Sequence, residues 1–375
     1  MNARLALCFC LTLPALGCGS ATPSPGDADG SAFVDAYVED AHVEDAHVDD
    51  AASATTEASA GSDAGARDAR GPATDGGRDV DAWVAPGSDA GDSALGPDVP
   101  GAYTVMMSST MLTGATAVAY VPTLPAGQRG PLVVFKHGFQ LASADYSVLL
   151  QRIATHGFIV VGVDTASSLV GGPTNVDERD AIRHTIDWAL GSAPFAGTID
   201  GARIAVMGHS RGGKDAVLAA AADSRITAAL LLDPVNGCGP GMGFSATCPD
   251  ATSATNAGAL SIPVGVMGET NDATGGFMPC APAAENYATI YPALHASSWA
   301  VQWTFADAVH MTFTDDGGGL AGSFCAAAPA DSATLRDNIH AMAVAFARYH
   351  LRGEASMAAW LTGASLPSGI TRTGP

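Results

Sequence analysis

Arg203-Ile204-Ala205-Val206-Met207-Gly208-His209-Ser210-Arg211-Gly212-Gly213 is the stretch that decides the fold. A short apolar run leads into Gly-His-Ser-Arg-Gly, and an Ala-rich segment of helical composition, 214–222, follows. Strand, sharp turn and helix is the setting in which G-x-S-x-G lifts a serine hydroxyl above the edge of a parallel sheet. Glycine is needed at 208 and 212 because the turn is strained and a Cβ there would crowd strand against helix. In a chain with 44 glycines the bare pattern is weak, and the flanking strand and helix make it specific.

Working outward, 131–136, 158–163, 227–232, 262–267 and 299–305 are apolar runs of strand length, the type buried on both faces of a parallel sheet. Two further β-like runs, 103–107 and 116–121, precede them. Helical spacing marks 143–155, through Tyr146, Leu149, Leu150 and Ile153, and also 176–190 and 333–351. The alternation predicts an α/β architecture: a mostly parallel, doubly wound sheet with helices on both faces. Ligands in such sheets bind at the carboxyl ends of the strands, where Ser210 falls.

The N-terminus reads as an export signal over 1–18, with Arg4, an apolar core from Leu5 to Leu16, and Ala15-Leu16-Gly17-Cys18 at its end. That end resembles the lipobox of bacterial lipoproteins, in which the cysteine is acylated. The expectation is therefore a lipid anchor on Cys18, with an ordinary cleaved signal as the alternative. Residues 19–100 hold 18 acidic side chains against three Arg, so most of the net charge of −21 belongs there. With so little apolar surface to bury, this stretch is expected to be a disordered acidic tether, leaving 101–375 as the catalytic domain. The acidic balance argues against a nucleic-acid partner. Beyond the signal and Cys18, four cysteines remain. In an exported chain they suggest the disulfides Cys238–Cys248 and Cys280–Cys325. A zinc site lacks the spacing it would need, and no metal is expected.

A serine hydroxyl needs a histidine base, itself oriented by a carboxylate, and in this architecture the order is Ser, acid, His. His310 is the favoured base, on a loop just past the last strand. His295 lies upstream of that strand, His340 and His350 lie inside the final helix, and His156, His184 and His209 come at or before the nucleophile. Two strand-end carboxylates compete for the acid: Asp233, stiffened by Pro234, is preferred over Asp272. Backbone N–H groups of Arg211 and of Phe139, in His137-Gly138-Phe139-Gln140, are the expected oxyanion donors, each worth about 3 kcal/mol of activation free energy.

Taken together these segments resemble the α/β-hydrolase superfamily, and more narrowly its chlorophyllase-like and cutinase-like polyester-hydrolase branch. The resemblance runs from about 103 to 363. It is carried by Phe135-Lys136-His137-Gly138-Phe139, Ser143-Ala144-Asp145-Tyr146, Ala154-Thr155-His156-Gly157-Phe158, Gly208-His209-Ser210-Arg211-Gly212-Gly213 and Val309-His310-Met311. Leu232-Asp233-Pro234-Val235 resembles the acid segment of that branch and of platelet-activating-factor acetylhydrolases, which favours Asp233 over Asp272. The acidic tether and the cysteine pairs depart from the pattern. The resemblance implies hydrolysis of carboxylic esters by an acyl-enzyme on Ser210, with no cofactor and no large cap domain. An uncapped site would be open to lipid-like or polymeric acyl esters, with Phe139, Met242, Phe244 and Met311 as candidate walls. Two other readings stay open: a surface binding module on an inactive scaffold, and an acyltransferase using the same residues.

Overall fold

The computed structural model describes residues 95–166, 172–239, 242–272, 279–327 and 332–375. The expected signal, Cys18 and the acidic stretch up to residue 94 lie outside the described residues. Nine strands form one sheet in the order β1-β2-β4-β3-β5-β6-β7-β8-β9. They are β1 Val105–Leu112, β2 Ala115–Pro122, β3 Gly130–Lys136, β4 Ile159–Asp164, β5 Ile199–His209, β6 Ile226–Leu232, β7 Val264–Glu269, β8 Ala300–Phe305 and β9 Ile370–Thr373. Pairing is parallel from β4 through β8 and antiparallel for β1–β2, β2–β4 and β8–β9. The long helices are α1 Ser147–Thr155, α2 Asn175–Gly191, α3 Arg211–Ala222 and α4 Ser332–Arg352.

Two-residue periodicity builds the two cores. All seven residues of β3 are buried. Val133 and Phe135 point to one face with Met207 of β5 and Leu230 of β6, where α1 (Leu149, Ile153) and α4 (Met342, Phe346) cover them. Leu132 and Val134 point the other way with Val206 and Leu231, against α2 (Ile182, Ile186) and α3 (Val217). Such strands are covered on both sides, which is why they read as unbroken apolar runs.

Chain order places the site. From β3 the chain moves to β4 on one side, then crosses back to β5 on the other. The helix after β3 therefore packs on one face and the helix after β5 on the opposite face, opening a crevice between the carboxyl ends of these two strands. Gly138 and Ser210 meet there: a Cβ on Gly138 would sit 3.1 Å from the Ser210 Cβ.

Two disulfides join loops at the same end of the sheet, Cys238–Cys248 with Cα atoms 5.9 Å apart and Cys280–Cys325 with Cα atoms 5.4 Å apart.

Residues 95–100 lie against α1 and α4: Arg348 Nη1 donates to the Leu95 carbonyl at 2.7 Å, Arg152 Nη1 to the Asp98 carbonyl at 2.8 Å, and His156 Nε2 to the Val99 carbonyl at 3.0 Å. Arg348 is wholly buried, so these carbonyls satisfy groups that composition alone could not reveal. A chain beginning at residue 101 should unfold at lower urea concentration than one beginning at 95, by about 1–3 kcal/mol, because a buried guanidinium loses an acceptor. Coincident urea curves would show that this segment contributes nothing.

Candidate active site

Ser210 sits between β5 and α3 with φ 57° and ψ −126°. That conformation is uncommon for any residue bearing a Cβ, and the surroundings enforce it. A Cβ on Gly208 would lie 2.2 Å from the Gly212 carbonyl oxygen, and one on Gly212 would lie 2.3 Å from that of Lys136. Strand, turn and helix pack backbone against backbone. The Ser210 N–H donates to the Leu232 carbonyl at 3.0 Å, and its own carbonyl accepts from Gly213 and Val235.

His310 opens one 3₁₀ turn, His310–Phe313, on the loop after β8. Its Nε2 is 2.8 Å from Ser210 Oγ and its Nδ1 is 2.6 Å from Asp233 Oδ2. Asp233 follows β6 with φ 41°, its N–H donating to the Met267 carbonyl at 2.9 Å. Pro234 then packs on α3 so closely that a Cβ on Gly213 would be 2.7 Å from the proline Cβ. The glycine after the motif is thereby explained. Asp233 and His310 are buried, and Ser210 is 9% exposed. Burial pushes the Asp233 carboxyl up; the hydrogen bond and charge of His310 pull it back, and Asp272 adds to the rise. Asp272 takes a different position. Its Oδ1 accepts the N–H groups of Cys280 and Ala326, each at 3.4 Å, at the crossing made by the Cys280–Cys325 disulfide.

The loop after β3 faces the serine. His137 Nδ1 donates to the Gly138 carbonyl at 2.7 Å, while Lys136 Nζ donates to His137 Nε2 at 2.8 Å and to Thr165 Oγ1 at 3.0 Å. Burial and then the charge of Lys136 push the His137 imidazole down to about 4, so it is neutral and fit to bridge a donor and an acceptor. Gln140, at φ 59°, turns the chain back. Arg211 Nε donates to Glu178 Oε2 at 3.0 Å and its Nη2 to the Pro173 carbonyl at 2.6 Å, and the guanidinium lies 5.8 Å from the Phe139 ring. Among the described residues, neither the Phe139 N–H nor the Arg211 N–H has another acceptor. The geometry offers one alcohol, one imidazole, one buried carboxylate and two available amides.

The chlorophyllase family model matches residues 103–365. The chain belongs to the chlorophyllase family. It is 32% identical over 247 residues to chlorophyllase-1 of Arabidopsis thaliana, covering 60% of this chain and 73% of that one. Bis(hydroxyethyl) terephthalate hydrolase of Streptomyces coelicolor is 31% identical over 135 residues, 35% of this chain and 41% of that one. Cutinase 1 of Thermobifida cellulosilytica is 34% identical over 103 residues, 27% and 38% of the two chains. This family member is a carboxylesterase with an α/β-hydrolase fold.

Several polar residues of this esterase escape sequence reasoning. Lys136 and Glu178 lie in an apolar run and a helix, and only the fold shows that they meet Thr165 and Arg211 in the interior. Tyr146 reads as one more apolar position of a helix, yet it is wholly buried with its hydroxyl hydrogen-bonded; a buried tyrosine's need for a partner is the one clue available.

Glu269, at the end of β7, is buried and accepts the N–H groups of Asn271 and Asp272. Burial first, and the charge of Asp233 second, push its carboxyl from 4.5 up to about 7. Its neutral form favours the fold fully below the unfolded-chain value, and that advantage disappears as pH climbs through the folded one. Glu269→Gln should therefore gain stability on the wild type between about pH 5 and about pH 8, by at most about 3 kcal/mol. Urea denaturation at both pH values measures it, and a pH-independent difference would contradict the assignment.

Proposed function

We propose that the protein is an exported serine esterase that cleaves carboxylic esters through an acyl-enzyme on Ser210. The observation that carries this reading is a single imidazole, His310, within hydrogen-bond reach of both Ser210 Oγ and Asp233 Oδ2. The Nδ1–H donates to Asp233, which leaves the Nε2 lone pair facing the serine hydroxyl. As Oγ attacks the ester carbonyl carbon, its proton passes to Nε2, and Asp233 stabilises the imidazolium. The N–H groups of Phe139 and Arg211 hold the oxyanion. Collapse expels the alcohol, which takes the proton from Nε2, and water then repeats the sequence on the acyl-enzyme.

Asp233, not Asp272, is the orienting acid in this reading, because Asp272 spends its Oδ1 on the amides beside a disulfide. For the substrate we favour a bulky apolar acyl ester. Phe139, Met242, Phe244 and Phe324 are exposed on the loops that follow β3, β6 and β8, at the end of the sheet where Ser210 lies. The relatives' names, chlorophyllase, cutinase and bis(hydroxyethyl) terephthalate hydrolase, belong to unlike substrates, so the family sets the reaction and these walls set the preference. Two disulfides support an oxidising compartment, and Cys18 is the proposed site of the lipid anchor.

The intact chain should hydrolyse p-nitrophenyl butyrate, and Ser210→Ala should abolish turnover. Asp233→Asn should lower kcat by about 10³–10⁴-fold, with Asp272→Asn costing far less. Equal losses in the two Asn variants would reverse the acid assignment, and unchanged turnover in Ser210→Ala would end the serine mechanism. Product analysis with added alcohols separates hydrolysis from acyl transfer.

A further inference from the structure

Gly138, His209 and His310 lie on three different segments, and one buried chain of hydrogen bonds joins them. The Gly138 N–H donates to Tyr146 Oη at 3.2 Å; Tyr146 Oη is 2.7 Å from His209 Nδ1; His209 Nε2 is 3.1 Å from the His310 carbonyl oxygen. Tyr146 and His209 are both wholly buried.

Counting donors gives the chain a direction. A carbonyl only accepts, so His209 Nε2 carries the hydrogen. A neutral imidazole then has a bare Nδ1, which accepts the Tyr146 O–H, and the tyrosine oxygen accepts from Gly138. The opposite assignment sets two acceptors against each other at His310. An imidazolium would put a second hydrogen against the tyrosine hydroxyl and a positive charge beside the His310 ring, whose centroid is 4.5 Å away. Burial and the proximity of His310 hold the His209 titration well below the ordinary histidine range.

We propose that Tyr146 and His209 are positioning residues, a relay that keeps the oxyanion loop and the base in register on Ser210. The proposal rests on the serine-esterase reading above. At one end, the Gly138 N–H is fixed by Tyr146, and the Gly138 carbonyl by His137 at 2.7 Å and by the Leu141 N–H at 3.2 Å. Both peptide planes flanking Gly138 are thus set. Because a trans peptide points its N–H opposite its C=O, holding the Gly138 carbonyl aims the Phe139 N–H. At the other end, the bond to the His310 carbonyl fixes the backbone from which the imidazole reaches Ser210 and Asp233. The His209 ring packs against the His310 ring and also against Phe313, 6.0 Å from the latter and tilted 20° to it. Neither Tyr146 nor His209 reaches the reacting atoms; they act through Gly138 and His310.

The test uses the intact chain and diethyl p-nitrophenyl phosphate, which phosphorylates a reactive serine once and so counts active sites. Tyr146→Phe keeps the ring against Phe135 and removes only the hydroxyl. It and His209→Phe should each slow phosphorylation, and kcat for p-nitrophenyl butyrate per titrated site, by about 10–100-fold, with KM changed less than about twofold. The double variant should be no slower than the slower single one, since either break opens the same chain. Wild-type rates per titrated site, or losses that multiply in the double variant, would overturn the relay. Nitrogen NMR of the wild type decides the matter where a variant does not fold. His209 should be the neutral Nε2–H tautomer throughout the active pH range, and the Nδ1–H tautomer or an imidazolium overturns the relay. A wild-type serine that does not react would sink the esterase reading instead, leaving the tautomer to judge the relay separately.

Discussion

Ser210 is held in a conformation that an L-residue rarely adopts, and the contacts that hold it leave no room for side chains at 208, 212 or 213. The Gly208 α-carbon lies close to the Gly212 carbonyl, the Gly212 α-carbon lies close to the Lys136 and His137 carbonyls, and Gly213 abuts Pro234. Three glycines thus bring four segments together: β5, α3, the loop after β3, and the loop after β6. Each of those loops contributes to the site. The constraint on one serine backbone is therefore also the constraint that brings the loop after β3 and Asp233 within range of it, and this is how the strained turn is maintained.

Behind this backbone knot is a polar layer that apolar packing alone would not tolerate. Lys136 is wholly buried, and burial pushes its ammonium down while Glu178 and Asp215 pull it back. Burial and the neighbouring Glu178 push the Asp215 carboxyl well above the ordinary carboxylate range. Asn175 supplies Asp215 with a hydrogen bond at 2.7 Å, and Arg211 supplies one to Glu178. The layer brings Lys136, Arg211, Glu178 and Asp215 together, with Thr165 bridging Lys136 to Glu178. In a low-dielectric interior such a network is rigid when its members are satisfied, and costly when one is removed. Arg211, at the start of α3 and 5.8 Å from the Phe139 ring, belongs to this layer through its bond to Glu178.

The parallel strands and long helices are legible in the sequence because burial on both faces writes itself as apolar runs, and helix burial as a 3.6-residue rhythm. The edges are not. β1 runs to Leu112, well past 107, through Met-Ser-Ser-Thr-Met, an edge strand whose mostly exposed side chains carry no alternation. It turns back to β2 through Thr113-Gly114, with Gly114 at φ 79°. β9, Ile370-Thr371-Arg372-Thr373, is a four-residue edge with one buried side chain. β5 begins at Ile199, ahead of 203, because a register shift lets polar residues join the sheet before the apolar run starts. The spacing from Ser210 through Asp233 to His310 is readable since each follows a strand end. What could not be read is which buried polar groups meet across the fold, since Lys136 and Glu178, or Tyr146 and His209, are 42 and 63 residues apart.

The histidines show how one chemistry serves two purposes. His340 is pushed down to about 4 by burial and by Arg152 and Arg336, and His350 to about 3 by burial alone. His137 is pushed down to about 4, and His209 lies well below the ordinary range. Each is a neutral ring. At positions 137 and 209 that ring accepts on one nitrogen and donates on the other, so it joins a donor to an acceptor without the desolvation cost of a charge. His310 makes the same two-sided contact, with a difference in partners: a carboxylate on one nitrogen and an alcohol on the other. A carbonyl cannot stabilise a proton delivered to the far nitrogen as a carboxylate can. Set against Asp233, the imidazole has the partners that the proposed proton transfer from Ser210 requires; set against carbonyls, His137 and His209 are struts.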